Sequence, residues 1–280
     1  EAIRLGIEAL ETRKRILGIE HPSYATTLGN LAVDYSRLGN YEEAIRLGTE
    51  ALNIRKRILG TDHSEYASSL NDLASFYSGL GNYKEAIRLG TEALENRKRI
   101  LGMEHPDYAL SLSNLASFYS DLGNYNEAIR LGTEALEIRK RILGTEHPDY
   151  AMSLSNLAAD YAYIGNYKKA TRLGTEALEI RKRVHGTEHP DYAQTLSNLA
   201  SFYSDLGNYN EAIRLGTEAL EIRKKILGTE HPDYAMSLSK LAIDYSHLGN
   251  YEEAIRLGTE ALEIRKRVIG TEHPYYAWSL

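Results

Sequence analysis

Histidine is the first residue type whose pattern in this sequence suggests chemistry. One histidine recurs every 42 residues from His21 to His273, often within the segment Glu-His-Pro-Asp. Imidazole and carboxylate groups bind metals, but zinc needs its ligands about 2 Å from one centre. Equivalent residues of neighbouring repeats lie at least one helix-packing distance apart, about 8–10 Å. We therefore expect these histidines to cap the helices that follow them, and we predict no metal site and no cofactor.

Serine, histidine and aspartate, the residue types of nucleophilic hydrolysis, also recur along the chain. An active site is a singular, pre-organised pocket, whereas these residues form a repeated pattern. The sequence contains no Gly-x-Ser-x-Gly elbow, no phosphate-binding Gly-x-x-x-x-Gly-Lys loop and no His-Glu-x-x-His motif. We predict that the chain is not an enzyme.

The composition narrows the possible partners. The 280 residues include 33 basic and 39 acidic side chains and carry a net charge of −6, which argues against a protein that neutralises nucleic-acid phosphates. Cysteine is absent, so neither disulfides nor thiolate metal sites can form. No apolar run approaches 18 residues, which predicts no membrane span. We expect a cytoplasmic location. Because the chain begins within a repeat, we also expect it to be a piece of a longer protein.

The same 42-residue period organises the whole chain. Glycine recurs at this step from Gly18 to Gly270, and tyrosine from Tyr24 to Tyr276. A period of this length is typical of stacked supersecondary units that cannot bury their apolar faces alone. We predict a single array of about 6.7 repeats: the second helix of a truncated repeat over 1–17, full repeats starting near residues 22, 64, 106, 148, 190 and 232, and a partial first helix over 274–280.

Each repeat is predicted to contain two helices. In the repeat that starts at Pro106, proline suits the first helical turn, and Gly123 ends the first helix. Asn124 can cap the second helix with Glu127 as its capping-box partner, and Gly144 follows that helix. Apolar residues are spaced by three and four in both segments, so the repeats are all-α.

The run Asn-Leu-Ala-x-x-Tyr-x-x-Leu-Gly-Asn-Tyr-x-Glu-Ala-Ile that begins at Asn114 resembles the tetratricopeptide repeat, as does Glu-Ala-Leu-Glu-Ile-Arg from Glu134. The longer period and the linker Leu-Gly-Thr-Glu-His-Pro-Asp-Tyr-Ala resemble the repeats of kinesin light chains and their relatives. This resemblance implies an all-α, right-handed superhelical solenoid of stacked antiparallel helix pairs. It also implies a concave groove, lined by the first helices, in which partner peptides lie.

The family pattern places one first-helix position of each repeat in this groove. Asparagine occupies it at Asn30, Asn114, Asn156 and Asn198, and an amide offers both a donor and an acceptor to a peptide backbone. The alternative is that these amides bind only water or neighbouring helices. Asp72 and Lys240 occupy the position in the two remaining full repeats and depart from the pattern.

The rest of the predicted groove is small and polar. We include Ser117, Ser201 and Lys240 with the four asparagines as candidate peptide-binding residues. Basic side chains are few there, so we do not expect the groove to capture the C-terminal carboxylates of chaperones. A groove lined by serine offers little apolar anchorage, which predicts modest intrinsic affinity.

Two subtypes of repeat differ at the next pair of first-helix positions. Three repeats carry an apolar residue and aspartate, and three carry serine and phenylalanine: Val33-Asp34, Ala159-Asp160 and Ile243-Asp244 against Ser75-Phe76, Ser117-Phe118 and Ser201-Phe202. The apolar group has moved by one residue, about 100° around the helix. We favour a difference in packing between repeats; the alternative is a difference in the groove surface that sets the register of a ligand.

The second helices carry a glycine where the family more often has a larger side chain, from Gly6 to Gly258 at the same step. Glycine within a helix costs about 0.5–1 kcal/mol relative to alanine. We hypothesise that neighbouring backbones approach closely there; duplication of one ancestral glycine is the alternative. Basic triplets such as Arg55-Lys56-Arg57 close the second helices, and we interpret them as solvated helix ends rather than a nucleic-acid surface.

The features together favour a protein–protein interaction scaffold that binds a peptide segment of a partner in its groove. One alternative is a structural spacer or a rod that assembles by end-to-end stacking of uncapped repeats. A second alternative is a sensor arm of a larger protein.

Overall fold

The computed structural model describes residues 1–270, so the helix predicted over 274–280 lies outside the described residues. Within them the chain forms thirteen α-helices and no strand, which confirms the all-α prediction. The helices are α1 (Ala2–Leu17), α2 (Pro22–Arg37), α3 (Tyr41–Leu59), α4 (Ser64–Gly79), α5 (Tyr83–Leu101), α6 (Pro106–Asp121), α7 (Tyr125–Leu143), α8 (Pro148–Tyr163), α9 (Tyr167–His185), α10 (Pro190–Asp205), α11 (Tyr209–Leu227), α12 (Pro232–His247) and α13 (Tyr251–Ile269).

The chain divides into two compact units, Glu1–Ile142 and the residues from Leu143 onward. In the first unit, α2 packs on α3 and α4 on α5, while α3 and α5 also contact the first helix of the next repeat. In the second unit, α8, α10 and α12 pair in the same way with α9, α11 and α13. The first helices also contact each other directly, as α2–α4–α6 in one unit and α8–α10–α12 in the other. Each unit is therefore an all-α solenoid of stacked antiparallel helix pairs.

Capping residues set the helix boundaries. The Nδ1 atom of His105 accepts a hydrogen bond from the backbone N–H of Asp107 at 3.1 Å, and the same bond recurs at the N-termini of the other first helices. This confirms the prediction that the repeated histidines are caps. Asn82 Oδ1 accepts from the backbone N–H of Glu85 at the start of α5. Gly81, with φ of +82°, makes the left-handed turn between α4 and α5.

One leucine of each first helix lies at the centre of the repeat and is almost fully buried: Leu28, Leu70, Leu112, Leu154, Leu196 and Leu238. A buried tyrosine joins the two helices of a repeat as well. The Tyr66 hydroxyl donates to the Glu92 carboxylate at 2.7 Å, and Tyr192 donates to Glu218 at 2.9 Å. Because each repeat holds its first helix in this way, the outward face of that helix has a fixed orientation.

The basic triplets join successive repeats. The guanidinium of Arg97 is buried and donates from one nitrogen to the Asp107 carbonyl at 3.0 Å and the Ser111 hydroxyl at 2.9 Å on the next first helix. The third residue of a triplet is exposed and pairs with the preceding linker, as Arg57 does with Glu20. The interpretation of the triplets as solvated helix ends is therefore wrong for their first arginine, because the next repeat covers it. The middle lysine and the exposed third residue match that interpretation.

Five glycines of the second helices are closely packed, but by side chains rather than backbone: Gly6, Gly48, Gly90, Gly174 and Gly216. A β-carbon at Gly48 would lie 3.1 Å from Phe76 Cε2, and one at Gly174 would lie 2.9 Å from Leu199 Cδ2. The hypothesis of close backbone approach is therefore wrong. Side chains of the next first helix pack directly over these glycines instead. Alanine at these positions would overlap those side chains.

Candidate peptide-binding face

The predicted asparagines lie on the outward side of the first helices, which we call the first-helix face: residues 30, 33, 34 and 37 and their equivalents at 42-residue steps. Asn30 and Asn156 are exposed, while Asn114 and Asn198 are half-buried. Within residues 1–270, the side chains of Asn30, Asn114 and Asn156 make no hydrogen bond. Their amides are therefore available to a ligand in both donor and acceptor roles.

Asn198 is the exception among the four, because its Oδ1 accepts a hydrogen bond from Gln194 Nε2 at 2.9 Å within the same helix. That bond orients the amide and leaves its two N–H donors directed elsewhere. Ser117 is exposed, and Ser201 is half-buried and donates to the backbone carbonyl of Ser197 at 3.1 Å.

The structure brings Lys240 and Ser201 together. Lys240 Nζ on α12 donates to Ser201 Oγ on α10 at 3.0 Å. Although the lysine reaches solvent, burial of its amine lowers its pKa, and repulsion from Arg223 lowers it further. Attraction to Asp205 and Asp244 acts in the opposite direction. Lysine in place of asparagine thus forms a polar cluster that links two first helices.

Carboxylates on this face carry a desolvation cost. Burial raises the pKa of Asp205, and it raises that of Asp244 although Ser204 donates a hydrogen bond to Asp244 Oδ1 at 2.5 Å. Burial also raises the pKa of Asp72, which Arg55 and Arg97 partly offset. Ser78 on α4 donates to Asp121 on α6 at 3.0 Å, which is another bond between first helices. These bonds between repeats could not be found from the sequence, because each joins residues about one period apart on separate helices.

The two repeat subtypes are now resolved. Phe76, Phe118 and Phe202 are buried against the preceding second helix, which supports the interpretation that this difference concerns packing. Asp244, at the position equivalent to these phenylalanines, does not pack against the second helix but accepts a hydrogen bond from Ser204. Its neighbour Ile243 is 56% exposed. The surface therefore changes along with the packing.

In the second unit the first-helix face contains a cleft of about 230 Å³ between α10 and α12, above α11. Its floor is apolar, with Ala200, Gly216 and Leu241, and Lys240 and Asp205 stand among the polar residues that line it. Ser201 and Lys240, predicted as site residues, both belong to this cleft. Within residues 1–270 there is no group of three histidine, cysteine, aspartate or glutamate residues placed to hold a metal, and no helix there is long and apolar enough to cross a membrane.

Solved structures share this architecture. The nearly identical TPR-like repeats of Podosopora anserina, assigned to a kinesin light chain, are 29% identical with a TM-score of 0.65, over 73% of this chain and 97% of that one. BtubC (BKLC) from P. vanneervenii is 23% identical with a TM-score of 0.72, over 84% of this chain and 94% of that one, and shows likeness of fold alone. The same holds for the tetratricopeptide repeat sensor protein of the STAND class from Pyrococcus horikoshii, at 20% identity and a TM-score of 0.72, over 94% of this chain and 39% of that one.

No curated protein matches the chain. The family model of the tetratricopeptide repeat matches residues 1–57, 35–99, 107–183, 154–225, 191–267 and 235–280, and so extends over nearly the whole length. Together with the paired helices and the first-helix contacts, this match shows that the chain belongs to the tetratricopeptide repeat family.

Proposed function

We propose that the chain is a protein-interaction scaffold that binds an extended peptide segment of a partner along its first-helix face. The observation that carries the proposal is the set of free amides at Asn30, Asn114 and Asn156, which recur at one helical position and make no bond within residues 1–270. A peptide backbone presents N–H and C=O groups in alternation, and an asparagine side chain can pair with both. Tetratricopeptide repeat arrays are protein-interaction scaffolds in general, which agrees with this use.

The polar character of the face supports the same conclusion. Asparagine, aspartate and serine recur on it, and bonds between first helices, such as those of Ser78 and Lys240, hold neighbouring helices in place before a ligand arrives. A pre-formed face loses little conformational entropy on binding. Recognition of backbone groups by repeated amides gives affinity, and the residues that differ between repeats give specificity.

The test is selection of peptides from a random library on the immobilised array, followed by titration calorimetry. A variant with Asn30, Asn114 and Asn156 changed to alanine should bind the selected peptides at least about tenfold more weakly, since a lost hydrogen bond costs about 0.5–1.5 kcal/mol. The matched control changes Lys98, Lys140 and Lys182 to alanine; these exposed residues close the second helices.

Equal affinity of the parent and the asparagine variant, with circular dichroism unchanged, would exclude the amides as ligand groups. Light scattering over a range of concentrations addresses the alternative of a self-assembling rod. A mass that grows with concentration, together with no selected peptide, would replace the proposal with that alternative.

A further inference from the structure

A phenylalanine of the next first helix closes the space over the second-helix glycine in part of the array. A β-carbon at Gly48 would lie 3.1 Å from Phe76 Cε2, and one at Gly90 would lie 3.2 Å from Phe118 Cε2. Both rings are buried, with 4% of their surface exposed. An aromatic ring therefore fits on this glycine as part of the ordinary packing between repeats.

The space over Gly216 lacks that ring. The equivalent residue is Asp244, whose carboxylate accepts a hydrogen bond from Ser204 at 2.5 Å. A β-carbon at Gly216 would meet Leu241 Cδ2 at 3.0 Å and Ala200 Cβ at 3.9 Å, and none of its three nearest atoms is aromatic. The cleft of about 230 Å³ opens at this point, with Gly216 in its lining.

We infer that the cleft over Gly216 is a pocket for an aromatic side chain of the partner segment. This inference rests on the proposed function and names the anchor residue that the segment carries. The chain itself supplies the shape argument, because phenylalanine occupies the corresponding space over Gly48 and Gly90. The volume is sufficient: an apolar cavity of about 150 Å³ holds a benzene ring.

The surroundings of the cleft fit a ring that arrives from the solvent side. Ile243 is 56% exposed beside it, where two of the phenylalanine repeats carry the exposed serines Ser75 and Ser117. An aromatic ring in the cleft would cover the isoleucine and remove apolar surface from water. Lys240 and Asp205 line the same cleft and provide a donor and an acceptor for the peptide groups beside the ring. Aromatic anchors with a polar rim are the usual centres of affinity in interfaces.

The experiment uses the whole array and N-acetyl-phenylalanine amide as the probe, with N-acetyl-alanine amide as the reference. Ligand-detected NMR should show saturable binding of the aromatic probe, with a dissociation constant on the order of 1 mM for a ligand of this size. Asp244→Phe introduces the phenylalanine found at this position in three other repeats. Its ring should fill the cleft and weaken probe binding at least about tenfold. Asp244→Asn removes the same charge without filling the cleft and should keep binding within about twofold.

Binding of the probe to Asp244→Phe at the strength of the parent would overturn the inference, and so would equal signals from the aromatic and alanine probes. Asp244→Phe recreates a residue pair that the fold already contains, and circular dichroism checks that the variant is folded. The outcome is separable from the proposed function. If peptides selected on the array lose affinity with the asparagine variant and not with Asp244→Phe, the groove stands and the pocket fails. If the probe binds the cleft while the asparagine variant retains full peptide affinity, the amide-based proposal fails and the pocket stands.

Discussion

The glycines of the second helices allow a prediction whose sign depends on packing. At Gly174, a β-carbon would lie 2.9 Å from Leu199 Cδ2 and 3.1 Å from its Cγ. Leu199 is 1% exposed, and Phe202 lies 3.7 Å from the same point, so the leucine has little room to move away. Gly174→Ala must therefore displace a fully packed side chain.

Two opposing energies set the magnitude. Alanine in place of glycine within a helix contributes about 0.5–1 kcal/mol. The extra methyl group in a well-packed core costs about 1–3 kcal/mol. We expect Gly174→Ala to destabilise the array by about 0.5–2 kcal/mol. Gly258 provides the matched control, because the nearest described atom to a β-carbon there is Ala242 Cβ at 4.0 Å. Gly258→Ala should stabilise by about 0.5–1 kcal/mol.

The assay has to be local, because a repeat array does not unfold as one two-state unit. Hydrogen exchange of the amides in α9 and α10 reports the local stability around Gly174, and exchange in α13 reports that around the control position Gly258. We expect faster exchange in α9 and α10 of Gly174→Ala and slower exchange in α13 of Gly258→Ala. If Gly174→Ala slows exchange as much as Gly258→Ala does, the glycine has no packing role, and its recurrence reflects duplication alone.

Three further outcomes follow from the contacts. Arg97→Ala should destabilise the α5–α6 contact by about 1–3 kcal/mol, because it leaves buried acceptors without a donor. Lys98→Ala should change stability by less than about 0.5 kcal/mol, and hydrogen exchange in α6 distinguishes the two variants. Burial and the nearby glutamates raise the pKa of Tyr66 and Tyr192 from 10.0 to about 12, so stability should fall as the pH rises from 10 through 12. Changing both tyrosines to phenylalanine should reduce that fall, which alkaline denaturation followed by circular dichroism measures. His105→Ala should cost about 0.5–2 kcal/mol in denaturant unfolding, and His105→Asn should restore most of it, because asparagine is also a preferred cap.

The fold was accessible from the sequence because its signals are local. Histidine followed by proline or a polar residue, and glycine followed by asparagine, specify helix ends through bonds that span two or three residues. The same bonds repeat at every step of 42 residues, so each repeat strengthens the prediction for the others. The all-α solenoid and the family follow from that periodicity.

The contacts between repeats were harder to predict from the sequence, because identical residue types have different surroundings. Arg97, Lys98 and Arg99 look alike at a helix end, yet the next first helix buries only the first of them. The correct packing reason for the glycines likewise depends on which side chain of the next repeat lies over them. The positions predicted for the site were identified by family resemblance, and their role as ligand groups stays a prediction.

The repeats differ from one another at several positions on one side of their first helices. The positions of Thr26, Asn30, Val33 and Arg37 each carry three or more residue types across the six full repeats, and their spacing places them on one side of the helix. Exposure alone does not explain this, because a second-helix arginine that is exposed in each of these repeats is the same residue in all six: Arg46, Arg88, Arg130, Arg172, Arg214 and Arg256. Another exposed second-helix position does vary, as at Glu42, Lys84 and Asn126, so the differences are not confined to the first helices. A scaffold that reads different side chains of one extended ligand at successive repeats requires such differences, whereas a rod of equivalent repeats does not. The same reasoning makes the cleft beside Lys240 and Asp244 the place where the array's specificity should be measured first. Lys240 replaces the asparagine of four other repeats, and Asp244 replaces the phenylalanine of three.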